Sequence, residues 1–330
     1  MTPRRRDGAL GVVILYLTVV LFWGSTFLWV ELATDHTSPF VVSALRLAFG
    51  AATVLGISAL LGDEMRRAHS PAALRPWLWK GVLLALLAAV IPSLLLAIAQ
   101  RYIASGTASI LNATAPLWTA LIAWILIRGP AGRLRPVQVG GLFLGVAGVA
   151  LLANDAGTGG EVKGMLIMVA LAAIYASGGV YAQRSFGGAP PLTAAITVTG
   201  LGAVLAAPLG VVGWIVDPPT LGAFAALLAL GVTSSGVAYV GYFELIRRIG
   251  ATRTLTVTYL QPAVAIALGV AILGEELKAL HLAGLGLVLL GVAITNARRS
   301  PRRAALARRI PRRPPAPSCP RATDRIARDG

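Results

Sequence analysis

The sequence predicts an all-α integral membrane protein, with ten transmembrane helices arranged as two inverted five-helix repeats and both termini cytoplasmic. Three observations carry this reading: an apolar composition, a series of apolar runs near bilayer length, and basic residues confined to alternate loops. The chain has 330 residues, 56% of them hydrophobic and 13% charged, and a mean hydropathy of +0.76. A soluble domain of this size needs more polar surface than that. The formal net charge of +16 suggests nucleic acid at first sight, but eleven arginines lie beyond Ile294 and most of the others sit in short loops. Charge here reads as membrane topology, and no nucleic-acid partner is expected. The single cysteine, Cys319, excludes an intrachain disulfide.

The apolar runs cover 10–30, 40–61, 81–99, 103–127, 137–153, 164–182, 193–216, 221–243, 254–273 and 280–294. Most match the roughly 20 residues that a bilayer helix needs, and the last is short unless it continues to Asn296. The first follows Arg4, Arg5 and Arg6 as a signal peptide would, but it is long enough to span and no A-x-A cleavage site follows it. The N-terminus, alternate loops and the tail hold 25 of the 29 basic residues, while the opposite loops hold only Arg101, Lys163 and Lys278 beside seven acidic residues. Lys and Arg near helix ends resist translocation, so the basic side is cytoplasmic.

Two weakly similar halves emerge from internal alignment. Thr258 and Pro262 fall on Asn112 and Pro116, Gly284 and Gly291 on Gly141 and Gly148, Pro191 and Gly202 on Pro39 and Gly50, and Tyr175 and Ser177 on Trp23 and Ser25. Five helices per half is an odd number, so the second half enters the membrane in the opposite sense. Inverted repeats of this kind are a transporter device. The resulting organisation is a cytoplasmic N-terminus (1–9), a first repeat (10–153), an outer linker (154–163), a second repeat (164–296) and a disordered Arg/Pro-rich cytoplasmic tail (297–330), whose basic residues anchor topology or attract anionic lipid.

Polar residues inside the spans are the candidate site. Ser109, Asn112, Pro116 and Thr119 share one face of the fourth helix; Thr254, Thr258 and Gln261 share one face of the ninth. Pro116 and Pro262 each free a carbonyl near a bend, which suits a wall that faces a cavity. Helix packing through small hydroxyls is the competing reading, and the amides of Asn112 and Gln261, which need several partners, favour the cavity. Ser235, Tyr239 and Tyr242 recur along the eighth helix, Trp23 with Thr26 in the first, and Tyr175, Ser177 and Tyr181 in the sixth. Aromatic walls with a few hydroxyls suit a small amphipathic molecule or an organic cation. Trp23 lies about 20 Å into its helix at the usual rise, a depth that weakens its reading as an interface anchor. Arg46, the only basic residue within a span, costs about 2.5–3.5 kcal/mol to hold there. It binds a substrate carboxylate, snorkels outward, or pairs with Glu31 or Asp35. No Asp or Glu sits mid-helix, so a proton is one candidate coupling ion without an obvious carrier. Glu244 is four residues or fewer from Arg247 and Arg248, a ready ion pair. The glycines of the fifth and tenth helices offer close-packing faces for scaffold or for a homodimer. No metal, cofactor or hydrolase motif is present, so neither metal nor cofactor is expected.

WGSTF at 23–27, ALRLAFGA at 44–51 and LQPAVAIALGVAILGEELKALHLAGLGLVLLGVAI at 260–294 are similar to patterns of the EamA-type exporters of the drug/metabolite transporter superfamily. The resemblance covers nearly all of 10–295. It implies two five-helix repeats around a central cavity and secondary transport of small metabolites, amino acids foremost, commonly outward across a bacterial inner membrane. It includes Arg46 whatever the substrate, which favours a structural role for that residue. The first repeat of such proteins usually carries an acidic turn between its fourth and fifth helices; here the turn reads RGPAGRLRP at 128–136, with no counterpart of Glu275. Drug or organic-cation efflux is the rival within transport, and an intramembrane enzyme or a scaffold or sensor is the rival outside it.

Overall fold

The structure, a computed structural model, describes residues 3–60, 77–126, 135–154, 159–186, 191–250, 254 and 256–296. The tail at 297–330 and most of the turn at 128–136 lie outside the described residues. We label the helical rods α1 (Leu10–Thr34), α2 (Pro39–Leu60), α3 (Leu78–Ala99), α4 (Ser105–Asn112 with Ala115–Leu126), α5 (Pro136–Asn154), α6 (Gly159–Ser185), α7 (Pro191–Val216), α8 (Leu221–Ile249), α9 (Val257–Leu273) and α10 (Ala279–Asn296). Among the described residues eight of these are long and apolar enough to cross a membrane, and none forms a strand. The exceptions are α9, a shorter apolar helix, and α4, which is in two pieces.

The apolar runs therefore become helices, with boundaries moved by a few residues. The last does continue to Asn296, and α8 runs on to Ile249, where Glu244 pairs with Arg247 and Arg248 at 2.5 and 2.6 Å. Their outer faces stay apolar: on α1, Leu10, Ile14, Leu17 and Leu21 are at least half exposed along one stripe, as a lipid-facing surface requires.

The continuous fourth helix expected from 103–127 is interrupted at Ala113 and Thr114, just before Pro116. Pro116 has no N–H to donate to the Asn112 carbonyl four residues back, so the first piece ends there and the second restarts at Ala115. A second interruption falls at Ser25 in α1. Three further helices widen by a residue per turn: α3 at Leu86–Val90, just ahead of Pro92, α8 at Gly231–Val237, and α9 at Gly269–Leu273. Such wide turns free backbone groups for partners outside the helix.

Packing obeys a two-fold exchange of each helix with the one five places later. α1 packs on α8 and α9, and α6 packs on α3 and α4; α2 packs on α8, and α7 packs on α3. The remaining major contacts, α2 with α7, α4 with α9 and α5 with α10, map onto themselves. The α5–α10 contact consumes most of the small-residue faces. A Cβ on Gly141 would lie 2.6 Å from the Gly291 carbonyl oxygen, and one on Gly291 would lie 2.5 Å from that of Gly141. Gly145, Gly148 and Gly284 are likewise buried against neighbours, whereas Gly140 and Gly286 face open space.

Candidate central cavity

The irregular parts of α1, α3, α4 and α8 converge. At the break in α1, Gly24 allows close approach to α9, since a Cβ there would collide with Val264 Cβ. The break is then tied to the wide turn of α8. Thr26 Oγ1 donates to Ser234 Oγ at 2.8 Å, Ser234 Oγ donates to the Phe22 carbonyl at 2.6 Å, and Trp23 Nε1 donates to the Ser234 carbonyl at 3.1 Å. Backbone groups released by the breaks are thus satisfied across helices, as apolar surroundings demand.

In α3, Pro92 deprives the Ala88 carbonyl of its usual helical donor. Tyr239 Oη of α8 supplies one at 3.2 Å. A phenol has a single proton, so Tyr175 must donate to Tyr239 across their 3.2 Å contact. The Trp23 ring stands edge-on to Tyr239 at 5.8 Å and tilted against Tyr242 at 4.7 Å, a favourable aromatic geometry.

On the opposite wall, Gly50 of α2 fits against Ser235, where a Cβ would approach Ser235 Cβ to 2.6 Å. That contact brings Ser235 Oγ to Arg46, whose Nε donates to it at 2.9 Å. Arg46 makes no ion pair with any carboxylate among the described residues. The pairing with Glu31 or Asp35 that the sequence allowed is not formed, because Glu31 Oε2 accepts instead from Gln100 Nε2 at 2.7 Å.

These walls line a cavity of about 100 Å³. Nine of the sequence-derived candidates line it: Trp23, Thr26, Arg46, Asn112, Tyr175, Ser235, Tyr239, Thr258 and Gln261. Three do not. Ser109 Oγ donates to the Gly106 carbonyl at 2.6 Å, Ser177 Oγ to the Ala173 carbonyl at 2.9 Å, and Tyr242 packs behind Trp23. Pro116 lies at the start of the second piece of α4, and Pro262 is buried within α9 beside Gln261. The wall contributed by α3, with Pro92, Ser93 and Leu96, escaped the sequence reading. Its signal was present: a mid-span proline followed by a hydroxyl, the same pairing of bend and polar group that singled out α4 and α9.

A second polar site joins the repeats beyond the cavity. Gly274, at φ 68°, turns the chain out of α9, and the following Glu275 accepts from the backbone N–H groups of Ser105 (2.8 Å) and Gly106 (3.1 Å). A carboxylate at a helix N-terminus satisfies two orphan donors and complements the helix dipole. The sequence marked Glu275 only as part of a turn, because its partner lies 169 residues away. Among the described residues, no three His, Cys, Asp or Glu side chains gather as a metal site.

Comparison with known proteins agrees with this architecture. The model of the EamA-like transporter family matches residues 10–154 and again 162–297. An Escherichia coli relative named "Uncharacterized inner membrane transporter YedA" is 26% identical over 277 residues, 84% of this chain and 87% of its own. A Streptantibioticus cattleyicolor relative named "Probable terminal-alkyne amino-acid exporter" is 28% identical over 216 residues, 62% of this chain and 68% of its own. A crystal structure matches 88% of this chain and 99% of its own with a TM-score of 0.61 at 24% identity, a likeness of fold alone.

Proposed function

Because the chain belongs to the EamA-like transporter family, we propose that it exports amino acids or related small metabolites by alternating access about the central cavity. It is a multi-pass protein of the inner membrane. In this reading α4 and α9 cross with the eight longer helices, giving ten spans. Five per repeat, 10–153 and 164–296 joined by an outer linker, inverts the second repeat and places both termini in the cytoplasm.

The observation that carries the proposal is a cavity walled by both repeats at their broken or bent helices, lined by side chains with unused hydrogen-bonding capacity. Two packed halves related by pseudo-symmetry can exchange conformations around such a fixed site. The relative named for amino-acid export supports the substrate class. At about 100 Å³ the cavity is closer to a small metabolite than to a drug-sized ligand, which takes roughly 300–1,000 Å³.

Organic-cation efflux draws support from Trp23, Tyr175 and Tyr239, but the cavity lining includes an arginine and no carboxylate. Counterflow in proteoliposomes with a panel of amino acids, sugars and organic cations tests the proposal. Accumulation of an amino acid or small metabolite is expected; no accumulation of any panel member by folded protein would refute it. Replacing Asn112 or Gln261 by alanine is expected to lower flux while folded protein is retained.

A further inference from the structure

The polar groups of the cavity are unusual in what they lack. Arg46 has five N–H donors, and only Nε is used, on Ser235 Oγ. Its two Nη groups, with the other four donors and most of the positive charge, make no hydrogen bond among the described residues. Ser93 Oγ is buried and also without a partner there. The side-chain amides of Asn112 and Gln261 make no hydrogen bond among the described residues either, although Gln261 is only 6% exposed. All four residues line one cavity.

Unsatisfied groups in an apolar surround are unfavourable, and an unpaired charge most of all. The set is also chemically directional. It includes one fixed cation and several neutral donors and acceptors, and no carboxylate is among the lining residues. The planar fork of a guanidinium matches a carboxylate through two parallel N–H···O bonds. One guanidinium balances one unit of charge, so a monocarboxylate fits better than a dianion.

We propose that Arg46, held by Ser235, is the anchor for a substrate monocarboxylate, and that the cavity selects small carboxylates against cations that lack one. Asn112 and Gln261 offer neutral amide oxygens to an α-ammonium group, while Ser93 adds a hydroxyl. Leu47, Leu96 and Leu171 face the apolar part of the ligand. A cation without a carboxylate meets Arg46 with nothing to offset the repulsion, which excludes it by charge rather than by size. The inference rests on the transporter reading for its physiological meaning, but binding at Arg46 is measurable without flux.

The test uses the purified full chain and a matched series: L-leucine, isocaproate, which keeps the carboxylate and loses the amine, and leucinamide, which keeps the amine and loses the carboxylate. Ligand-induced rise of the thermal unfolding midpoint reads binding. L-leucine and isocaproate are expected to raise it and leucinamide to leave it unchanged. In Arg46→Gln the apparent affinity for isocaproate falls roughly tenfold to a hundredfold, the range for a charge-assisted hydrogen bond. Ser235→Ala, which frees the guanidinium from its support, weakens binding less, and it serves if Arg46→Gln does not fold. An equal shift by leucinamide, no shift by either carboxylate, or an undiminished shift in the Arg46 variant overturns the anchor. Flux of cations alone in the counterflow panel would leave a transporter standing and remove the anchor. Carboxylate binding without any flux would keep the anchor and remove the transporter.

Discussion

The two repeats meet the cavity unequally, and the clearest comparison is between the Arg46–Ser235 contact and the place that mirrors it. Gly50 of α2 lies against Ser235 of α8; its counterpart Gly202 of α7 lies against Ala89 of α3. A Cβ added at each would stand 2.6 Å from Ser235 Cβ in the first case and 3.4 Å from Ala89 Cβ in the second. The repeat offset that relates Gly50 to Gly202 relates Arg46 to Val198. Val198 is 2% exposed and belongs, with Ala89, to a packed apolar cluster. One wall is therefore a charged, hydrogen-bonded anchor and its mirror image is plain core. Symmetry of fold supplies two interchangeable halves, but substrate recognition needs only one anchor, and a second unpaired charge would weaken the membrane-embedded core for no gain in binding.

The largest expected effect comes from making the walls alike. Val198→Arg places a second guanidinium in a packed apolar cluster, at a cost of about 3 kcal/mol on insertion scales and more where no partner is available. Loss of monodisperse protein, or a steep fall in its unfolding midpoint, is expected on size-exclusion chromatography and thermal melting. Native-like melting would mean that the mirrored wall opens to water and that the asymmetry is not real. Next comes the pair Gly50→Ala and Gly202→Ala. The first forces a Cβ to 2.6 Å from Ser235 Cβ, while the second meets its nearest atom at 3.3 Å. Overpacking of the first kind costs about 1–3 kcal/mol, and the second is expected to be close to neutral. Similar melting of the two variants would contradict the unequal packing.

The ends of the molecule repeat this inequality. Glu275 caps the start of α4 from across the repeat boundary, whereas the corresponding turn of the first repeat, 128–136, has no acidic residue to offer α9. Glu275→Gln leaves one acceptor oxygen in place of two and removes the charge that complements the helix dipole, a loss of about 1 kcal/mol. Amide hydrogen exchange at residues 105 and 106 should speed up roughly fivefold as a result; unchanged exchange would mean that the cap contributes nothing. The smallest effect is expected from Tyr175→Phe. It deletes one neutral hydrogen bond to Tyr239 and lowers stability by about 0.5–1 kcal/mol, readable as a small drop in melting midpoint, while the Tyr239 bond to Ala88 persists.

What the sequence revealed and what it hid divide along the range of the interactions. Helix positions follow from local composition, since each rod satisfies its own backbone in an apolar medium. Polar residues on shared helical faces could likewise be found by spacing, and eight of the fourteen side chains singled out in this way line the cavity, joined by Arg46. The interruptions at Ser25 and at Ala113 and Thr114 are less visible, because the chain remains apolar through them and only Pro116 hints at the second. Ser109 and Ser177 show why spacing alone over-reads hydroxyls: each bonds a carbonyl of its own helix three or four residues back. The two polar contacts that define the asymmetry are non-local. Arg46 meets Ser235 across 189 residues and Glu275 meets Ser105 across 170, so no local pattern announces either.

The most direct measurement of the central claim is counterflow of the proteinogenic amino acids in proteoliposomes, with the native chain and Arg46→Gln side by side and folded protein verified in both. The native chain is expected to accumulate at least one amino acid and the variant to lose this accumulation. Accumulation by neither protein, or equal accumulation by both, would contradict it.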